Sequence, residues 1–406
     1  MSLSVTHVSY SNGLGGAGIA ASRINSALLK SGFESILGVA ENFGNSDESF
    51  NISGKSVFHS KIRARSILEI SNILYRDLNY HSFNILPSGV HRNLNRLHSD
   101  IINLHWINRE LLAYYEIRKI SKPVFWTLHD MWPLLGSTHI EQFHSSRVYK
   151  TKLFTNKIDN FLENRKIQAF SKGIHWIAPS NWMKNKIIAR FSDVRKEIPV
   201  IPNPIDTEIF KYGTSLEIPE LKKLFDDQHP IILFGAAGGI SNRIKGFDYL
   251  YASYKILLKK YPEVKLALFG QKELPRFLED DENVFNLGII RSQSVLTSIL
   301  NKCSVLALPS VIDNLPQVAV EAISSGTPVV AFNVGGVSDI VEHGINGLTV
   351  EFGDVNMFAE ALISIIYNSV NLISRKDISA RAHLKFSSET VAYKYMQHYR
   401  QVIQNA

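Results

Sequence analysis

The chain contains one cysteine, Cys303, in 406 residues, so no disulfide can close within it and a disulfide-stapled secreted scaffold is excluded. A reducing compartment is expected. Cys303 sits just before an apolar run and is read as a small buried hydrophobe. No window approaches the roughly 18 consecutive apolar residues of a membrane-spanning helix. Residues Met1–His7 have neither a basic stretch nor a long apolar core, so no signal peptide is expected and the location expected is cytoplasmic. There is no low-complexity tract, no recognisable nucleic-acid-reading motif and no His pair at the helical spacing of a metal site. With 45% hydrophobic and 20% charged residues the composition is that of a soluble globular protein. The net charge of +7 is modest and favours an anionic partner such as a phosphate or an acidic surface.

What is present is a rhythm of apolar strand, turn and helix. In the first half, Leu3–Ser9, Phe33–Val39, Asp100–His105, Pro123–Leu128, Gly173–Ala178 and Ile198–Ile201 read as strands. Helices are expected near 16–30, at Asn108–Ile120 and near Trp182–Arg190. In the second half the strands are Pro230–Ala236, Val264–Phe269, Val284–Leu287, Val305–Leu308, Pro328–Phe332 and Gly347–Val350. Between them Phe247–Lys260, Ser292–Asn301, Pro316–Ser325 and Val337–His343 have helical spacing of apolar positions. Strands apolar on both faces and separated by helices predict parallel sheets covered on both sides. The segment 203–229 breaks the rhythm with prolines and charges. The expected organisation is therefore α/β, with two Rossmann-like domains at 1–202 and 230–386 facing each other across a cleft, a linker at 203–229, and a final helix within 387–406 that packs back on the first domain.

Ligands in such sheets bind beyond the carboxyl ends of the strands. The first strand ends in a glycine turn containing Gly13, Gly15, Gly16 and Gly18, where backbone N–H groups approach an anion. It is not a clean G-x-G-x-x-G, and it also reads as a plain flexible turn. Thr127-Leu128-His129-Asp130 ends another strand, and His129 there accepts a proton, hydrogen-bonds a hydroxyl, or holds a loop. His105-Trp106 and His139 are further candidates around the same ends. In the second half, Gly235 to Gly246 forms a glycine loop carrying Arg243 and Lys245 before a helix, a cradle for a diphosphate or two solvated cations in a turn. After the strand at Val305–Leu308 come Asp313, Asn314 and Pro316, then Gln317 and Val318 at the helix start and Glu321 further along it. Carboxylates accept hydrogen bonds from sugar hydroxyls, and a helix start holds phosphate. The bland alternatives are an N-cap for Asp313 and a solvated face for Glu321.

The stretch Pro309–Val330 resembles the E-x7-E signature of the family-four glycosyltransferases, with Asp313 and Glu321 eight apart. The resemblance extends to Gly15-Gly16, Thr127–Asp130, Ala178-Pro179-Ser180, Lys245-Gly246 and the run Gly335-Gly336 to Gly347, whereas 40–98 and 140–172 match nothing recognisable. The likeness is to bacterial enzymes that build surface polysaccharides. It implies the GT-B fold and transfer, with retained configuration, from a nucleotide-diphosphate sugar to a glycan or lipid-linked acceptor, without a cofactor or metal. It implies that Glu321 bonds the ribose, Asp313 the donor sugar, and Lys245 and the Gly15-Gly16 backbone the diphosphate, with His129 near the transferred sugar. Two departures stand out. The first signature acid is Asp313 rather than Glu, one methylene shorter, and Arg243 lies two residues before Lys245, where the family often has an Arg five or six before.

A nucleotide-sugar epimerase on the same fold and a catalytically silent nucleotide- or sugar-binding module are the alternatives. The stretch 145–172, with seven basic residues against two acidic ones and interleaved aromatics, is expected either to touch an anionic membrane or to form a solvated helix.

Overall fold

The structure, a computed structural model, describes residues 3–13, 15–43, 48–53, 57–75, 80–141, 153–191, 198–225, 227–236 and 238–405. His144, which follows His139, and Arg147, Tyr149, Lys150 and Lys152 of the basic stretch 145–172 lie outside them.

The chain divides into two compact units, Met1–Pro204 with Val391–Ala406, and Ile205–Thr390. The first holds a parallel sheet of β1 (Ser4–Ser11), β2 (Glu34–Glu41), β3 (Ser49–Asn51), β4 (Ile101–Leu104), β5 (Val124–Thr127) and β6 (Ile174–Ile177), in the order β3-β2-β1-β4-β5-β6. The second holds β7 (Ile231–Gly235), β8 (Lys265–Phe269), β9 (Val284–Asn286), β10 (Val305–Leu308), β11 (Val329–Phe332) and β12 (Gly347–Val350), in the order β12-β11-β10-β7-β8-β9. The helices are α1 (Gly15–Lys30), α2 (Val57–Tyr75), α3 (Val90–Arg96), α4 (Leu153–Phe170), α5 (Asn181–Arg190), α6 (Lys222–Phe225), α7 (Phe247–Leu258), α8 (Arg276–Glu279), α9 (Gln293–Lys302), α10 (Gln317–Ser324), α11 (Val355–Ile366), α12 (Arg375–Phe386) and α13 (Ser388–Gln404). Each unit is thus a Rossmann-like domain. Every residue of β4, β5, β10 and β11 is buried, as the continuous apolar runs predict for strands covered on both faces.

The elements depart from expectation where local chemistry overrides periodicity. Only Tyr114–Lys119 of Asn108–Ile120 coils, as a 3-10 turn, because Arg109 and Glu110 take left-handed φ values of 57° and 56° that no α-helix admits. Val337–His343 holds a 3-10 turn at Val337–Asp339. Ile198–Ile201 contributes a single bridge, Ala178 to Val200. Pro316 is the N-cap of α10, so Asp313 is not its cap. The segments 40–98 and 140–172 supply β3, α2, α3 and α4.

Of the linker expected at 203–229, residues 205–229 belong to the second unit, where Ile205, Phe210 and Leu224 are buried in its core. The end of α13 belongs to the first. Its Tyr395 and Tyr399 pack in the core with Val5, Ile101 and Phe125, and their hydroxyls meet Thr127 Oγ1 at 3.1 Å and accept from Asn103 Nδ2 at 2.6 Å. Burying two tyrosines requires such partners for their hydroxyls. Lys166, one of the seven basic residues of 145–172, turns inward. Its ammonium donates to the carbonyls of Trp132 and of Gly136 and lies 3.9 Å from the centre of the Trp132 ring, and burial pushes its pKa well below the usual lysine value. Lys157, Arg165 and Lys172 remain exposed. Among the described residues no helix is long and apolar enough to cross a membrane.

Candidate functional site

In the second unit, close backbone approaches fix the loops beyond β7, β10 and β11. Gly246 has φ 71°, and a Cβ there would stand 1.9 Å from the Pro309 carbonyl oxygen. Gly335 has φ 58°, and a Cβ there would stand 1.9 Å from the Asp313 carbonyl oxygen, which accepts the Gly336 N–H at 2.9 Å. Only glycine fits both the angles and the gaps. These contacts bring the basic loop and the acidic loop together. Lys245 Nζ donates to Asp313 Oδ2 at 2.6 Å, and Ser310 Oγ reaches the same oxygen at 3.3 Å. Arg243 is exposed and carries no ion pair among the described residues. Asn314 is buried, Gln317 and Val318 open α10, and Glu321 lies on its second turn, 8% exposed, beside fully buried Ala319, Val320 and Ala322. The positive end of the α10 dipole points toward this start. The structure thus joins Lys245 to Asp313 directly, and places Asn314, Gln317, Val318 and Glu321 on the segment that follows.

In the first unit, Gly15 takes φ 71° at the start of α1, and a Cβ on Gly15 or Gly16 would meet nothing within 4 Å. Space is open above both backbones. Gly18 is the glycine that packing demands, since its Cβ would stand 2.8 Å from Ser11 Oγ.

His129 ends a row of three histidines. His129 Nε2 lies 2.9 Å from His105 Nδ1, and His105 Nε2 lies 2.8 Å from His7 Nδ1. The rings of His105 and His129 stack at 5.1 Å. Burial is the leading cause that lowers all three: His7 to about 3, His129 to about 4, and His105 well below the usual value. Three neutral imidazoles in a row share one constraint: each contact needs one N–H and one lone pair. Their protons therefore shift together, and His129 Nδ1 is a donor in one arrangement and an acceptor in the other. Among the described residues His7 Nε2, buried at the far end, has no hydrogen-bond partner. Sequence reasoning missed His7, because residues 7, 105 and 129 converge only through the β1-β4-β5 order.

Beside this row, Asp130 is fixed by three donors: Trp106 Nε1 at 2.8 Å, His139 Nδ1 at 2.5 Å and the Trp132 N–H at 3.0 Å. Burial pushes this carboxyl up, but His139 and the other donors hold it below the ordinary aspartate value. His139 Nε2 meets Ser82 Oγ at 2.9 Å. Among the described residues no group of three or more His, Cys, Asp or Glu is gathered as a metal ion would need.

The histidine row predicts a pH signature. Unfolded, each histidine takes up its proton near pH 6.5, whereas folded His7 and His129 stay neutral to about 3 and about 4. The unfolded state binds more protons in that window, so stability is complete above about pH 6.5 and is lost progressively as pH falls below it. The thermal midpoint should fall between pH 7 and 5, and a His7→Phe variant should fall less steeply. Parallel slopes for the two proteins would contradict this.

The sequence matches two family models. Residues 14–209 match Glycosyltransferase Family 4, and residues 230–368 match Glycosyl transferases group 1. The chain is similar to the capsular polysaccharide biosynthesis glycosyltransferase CapM of Staphylococcus aureus, 29% identical over 53% of this chain and 58% of that one. It is also similar to a D-inositol 3-phosphate glycosyltransferase of Corynebacterium urealyticum, 24% identical over 69% of each. The first curated relatives are matched over 40% to 69% of their length. Among solved structures, HepE of Anabaena in complex with UDP-glucose superposes with a TM-score of 0.64 at 16% identity, over 98% of this chain and 100% of that one. That likeness concerns the fold, the GT-B fold with its two Rossmann-like domains.

Proposed function

We propose that this chain, a glycosyltransferase by the two family models that match it, transfers a sugar from a nucleoside-diphosphate donor to a saccharide acceptor, with the anomeric configuration retained. The observation that carries this is the Lys245–Asp313 pair beside the start of α10, with Glu321 sunk in the same helix. A cation, a helix dipole and two carboxylates in one place suit the three parts of such a donor: diphosphate, sugar hydroxyls and ribose hydroxyls. Lys245 and Arg243 would meet the diphosphate, with the α10 start at Gln317 and Val318. Asp313 and Asn314 would hold the sugar, and Glu321 the ribose. On the first unit, the open backbone at Gly15 and Gly16 would admit a phosphate.

In the proposed reaction the bond from the sugar C1 to the phosphate oxygen breaks. The acceptor hydroxyl oxygen bonds C1 on the same face, and its proton passes to the departing phosphate oxygen. Neutral His129 suits this route. A group held near pKa 4 is a poor proton acceptor at neutral pH but a serviceable hydrogen-bond partner for a sugar hydroxyl. The acceptor class, a glycan or a lipid-linked saccharide of surface polysaccharide synthesis, is proposed from the likeness to CapM, itself named for capsule biosynthesis. A seat on an anionic membrane would use the exposed Arg165, Lys157 and Phe161 of α4.

Incubation with a panel of nucleotide sugars and saccharide acceptors, followed by NMR of the product's anomeric proton, tests the proposal. A product with the donor's configuration supports it. An inverted product, or a rearranged donor sugar formed without acceptor, overturns it.

The ion pair gives a finer expectation. Lys245 must share its charge between Asp313 and a diphosphate. In Asp313→Asn that competition disappears, and partly exposed pairs are worth up to about 1 kcal/mol, or about fivefold. Calorimetry should therefore show the nucleoside diphosphate bound up to about fivefold tighter, while turnover of the sugar donor falls. Weaker nucleoside-diphosphate binding by the variant would contradict this arrangement.

A further inference from the structure

Beyond β4 the chain does something costly. Arg109 and Glu110 both take left-handed φ, and so does Asn84 at 51°. Side-chain-bearing residues persist there only when their surroundings over-determine them, and such sites gather where function requires them. Here the locks are visible. Glu110 accepts the N–H groups of Asn84 at 2.6 Å and Leu86 at 2.9 Å, and Asn84 Nδ2 donates to the carbonyls of Ile107 at 2.8 Å and Leu112 at 3.0 Å. The strained turn holds Arg109 out among aromatic rings. Its guanidinium lies 5.0 Å from the centre of the Tyr10 ring and donates to Tyr80 Oη at 3.2 Å.

The nearby carboxylates are engaged elsewhere. Glu110 is buried on backbone amides, Asp130 on Trp106, His139 and Trp132, and Glu41 on the Tyr10 hydroxyl. Among the described residues no carboxylate forms an ion pair with Arg109. Its direct partners are the phenols of Tyr10 and Tyr80, which position a cation without neutralising it, and Glu41 shares the Tyr10 hydroxyl. Around it, Trp106 packs edge-on against Tyr10 at 5.9 Å, and tilted against Tyr80 at 6.1 Å and His139 at 5.8 Å. The indole N–H is spent on Asp130, so the partly exposed ring offers apolar surface rather than a donor. Tyr80 is 36% exposed and Trp106 partly so.

A flat aromatic surface suits the C–H face of a pyranose, and an unneutralised, preorganised guanidinium suits a carboxylate or phosphate. We propose that Trp106, Tyr80 and Arg109 form a subsite for an acidic sugar of the acceptor, its ring on the aromatics and its anionic group on Arg109. This rests on the glycosyltransferase assignment above. The neighbouring dipeptides tie the subsite to the histidine row, since His105 bonds His129 and Trp106 bonds Asp130.

The test is saturation-transfer NMR on the full chain with three probes: methyl glucuronide, glucose 1-phosphate and methyl glucoside. The glucuronide or the phosphate should bind about tenfold or more tightly than the neutral glucoside, and the tighter of the two identifies the anion. Arg109→Gln should erase that preference, Arg109→Lys should keep part of it, and Trp106→Ala should weaken all three probes. Tyr80→Phe, which keeps the ring and removes the hydroxyl that holds Arg109, should reduce the preference even if Arg109→Gln folds poorly. Equal binding of charged and neutral probes, or a preference unchanged in both Arg109→Gln and Tyr80→Phe, overturns the subsite. Nucleoside-diphosphate binding is measured on the same wild-type sample. Its absence would overturn the enzymatic assignment while charge-selective saccharide binding stood, and its presence without charge selectivity would overturn the subsite alone.

Discussion

Replacing His129 with Phe should cut turnover on the order of 10²–10³-fold while leaving nucleoside-diphosphate affinity near that of the wild type. The size is that of losing one preorganised polar group at a reacting centre. The split follows from placement: His129 stands beyond β5 in the first unit, whereas the residues assigned to the nucleotide stand in the second. The pH profile adds a readout that mere misfolding would not reproduce. In the proposed role His129 acts as a neutral ring held to about 4, so the wild-type rate should stay level from pH 8 to about 5.5 and fall as His129 charges below that. A rate that tracks a group near 6.5 would instead make His129 an ordinary solvated base. Because its Nε2 bonds His105, a His105→Phe variant should also depress turnover, acting through the orientation and proton placement of His129.

Glu321→Gln should weaken donor nucleotide binding by about 1–3 kcal/mol, roughly 5- to 150-fold. Gln keeps the shape of the side chain and removes its charge, so the measured loss isolates the charge-assisted bond to the ribose hydroxyls. The site favours a large effect, since Glu321 is 8% exposed among buried neighbours and little water screens it. The change should appear in calorimetric Kd and in KM for the donor, with the thermal midpoint of the unliganded protein little moved. Unchanged affinity would remove Glu321 from the nucleotide.

The second unit was nearly legible in the sequence. Its strands are short apolar runs of Val, Ile, Leu and Phe, and α10 follows β10 with Asp313 and Glu321 already at their spacing. There local pattern and tertiary demand agree. The first unit was less so. Asn108–Ile120 has the composition of a helix, yet the left-handed turn at Arg109 and Glu110 is set by Asn84, more than twenty residues away in sequence. Lys166 counted as a surface charge because sequence supplies no hint of the two carbonyls that receive it. The pairing of Lys245 with Asp313 joins loops after two strands, and glycines at 246 and 335 make the approach possible. Glycines announced a turn in each case, but which backbone each would admit depends on the sheet order.

The central claim is that the second unit binds a nucleoside-diphosphate sugar through Lys245 and Glu321. The most direct measurement is a thermal shift of wild type and Glu321→Gln against a panel of nucleoside diphosphates and their sugars. A ligand at a hundredfold excess over its Kd stabilises the native state by about 2.7 kcal/mol. One base series should therefore raise the wild-type midpoint clearly and raise that of Glu321→Gln markedly less. No shift with any nucleotide, or equal shifts for the two proteins, would contradict the account.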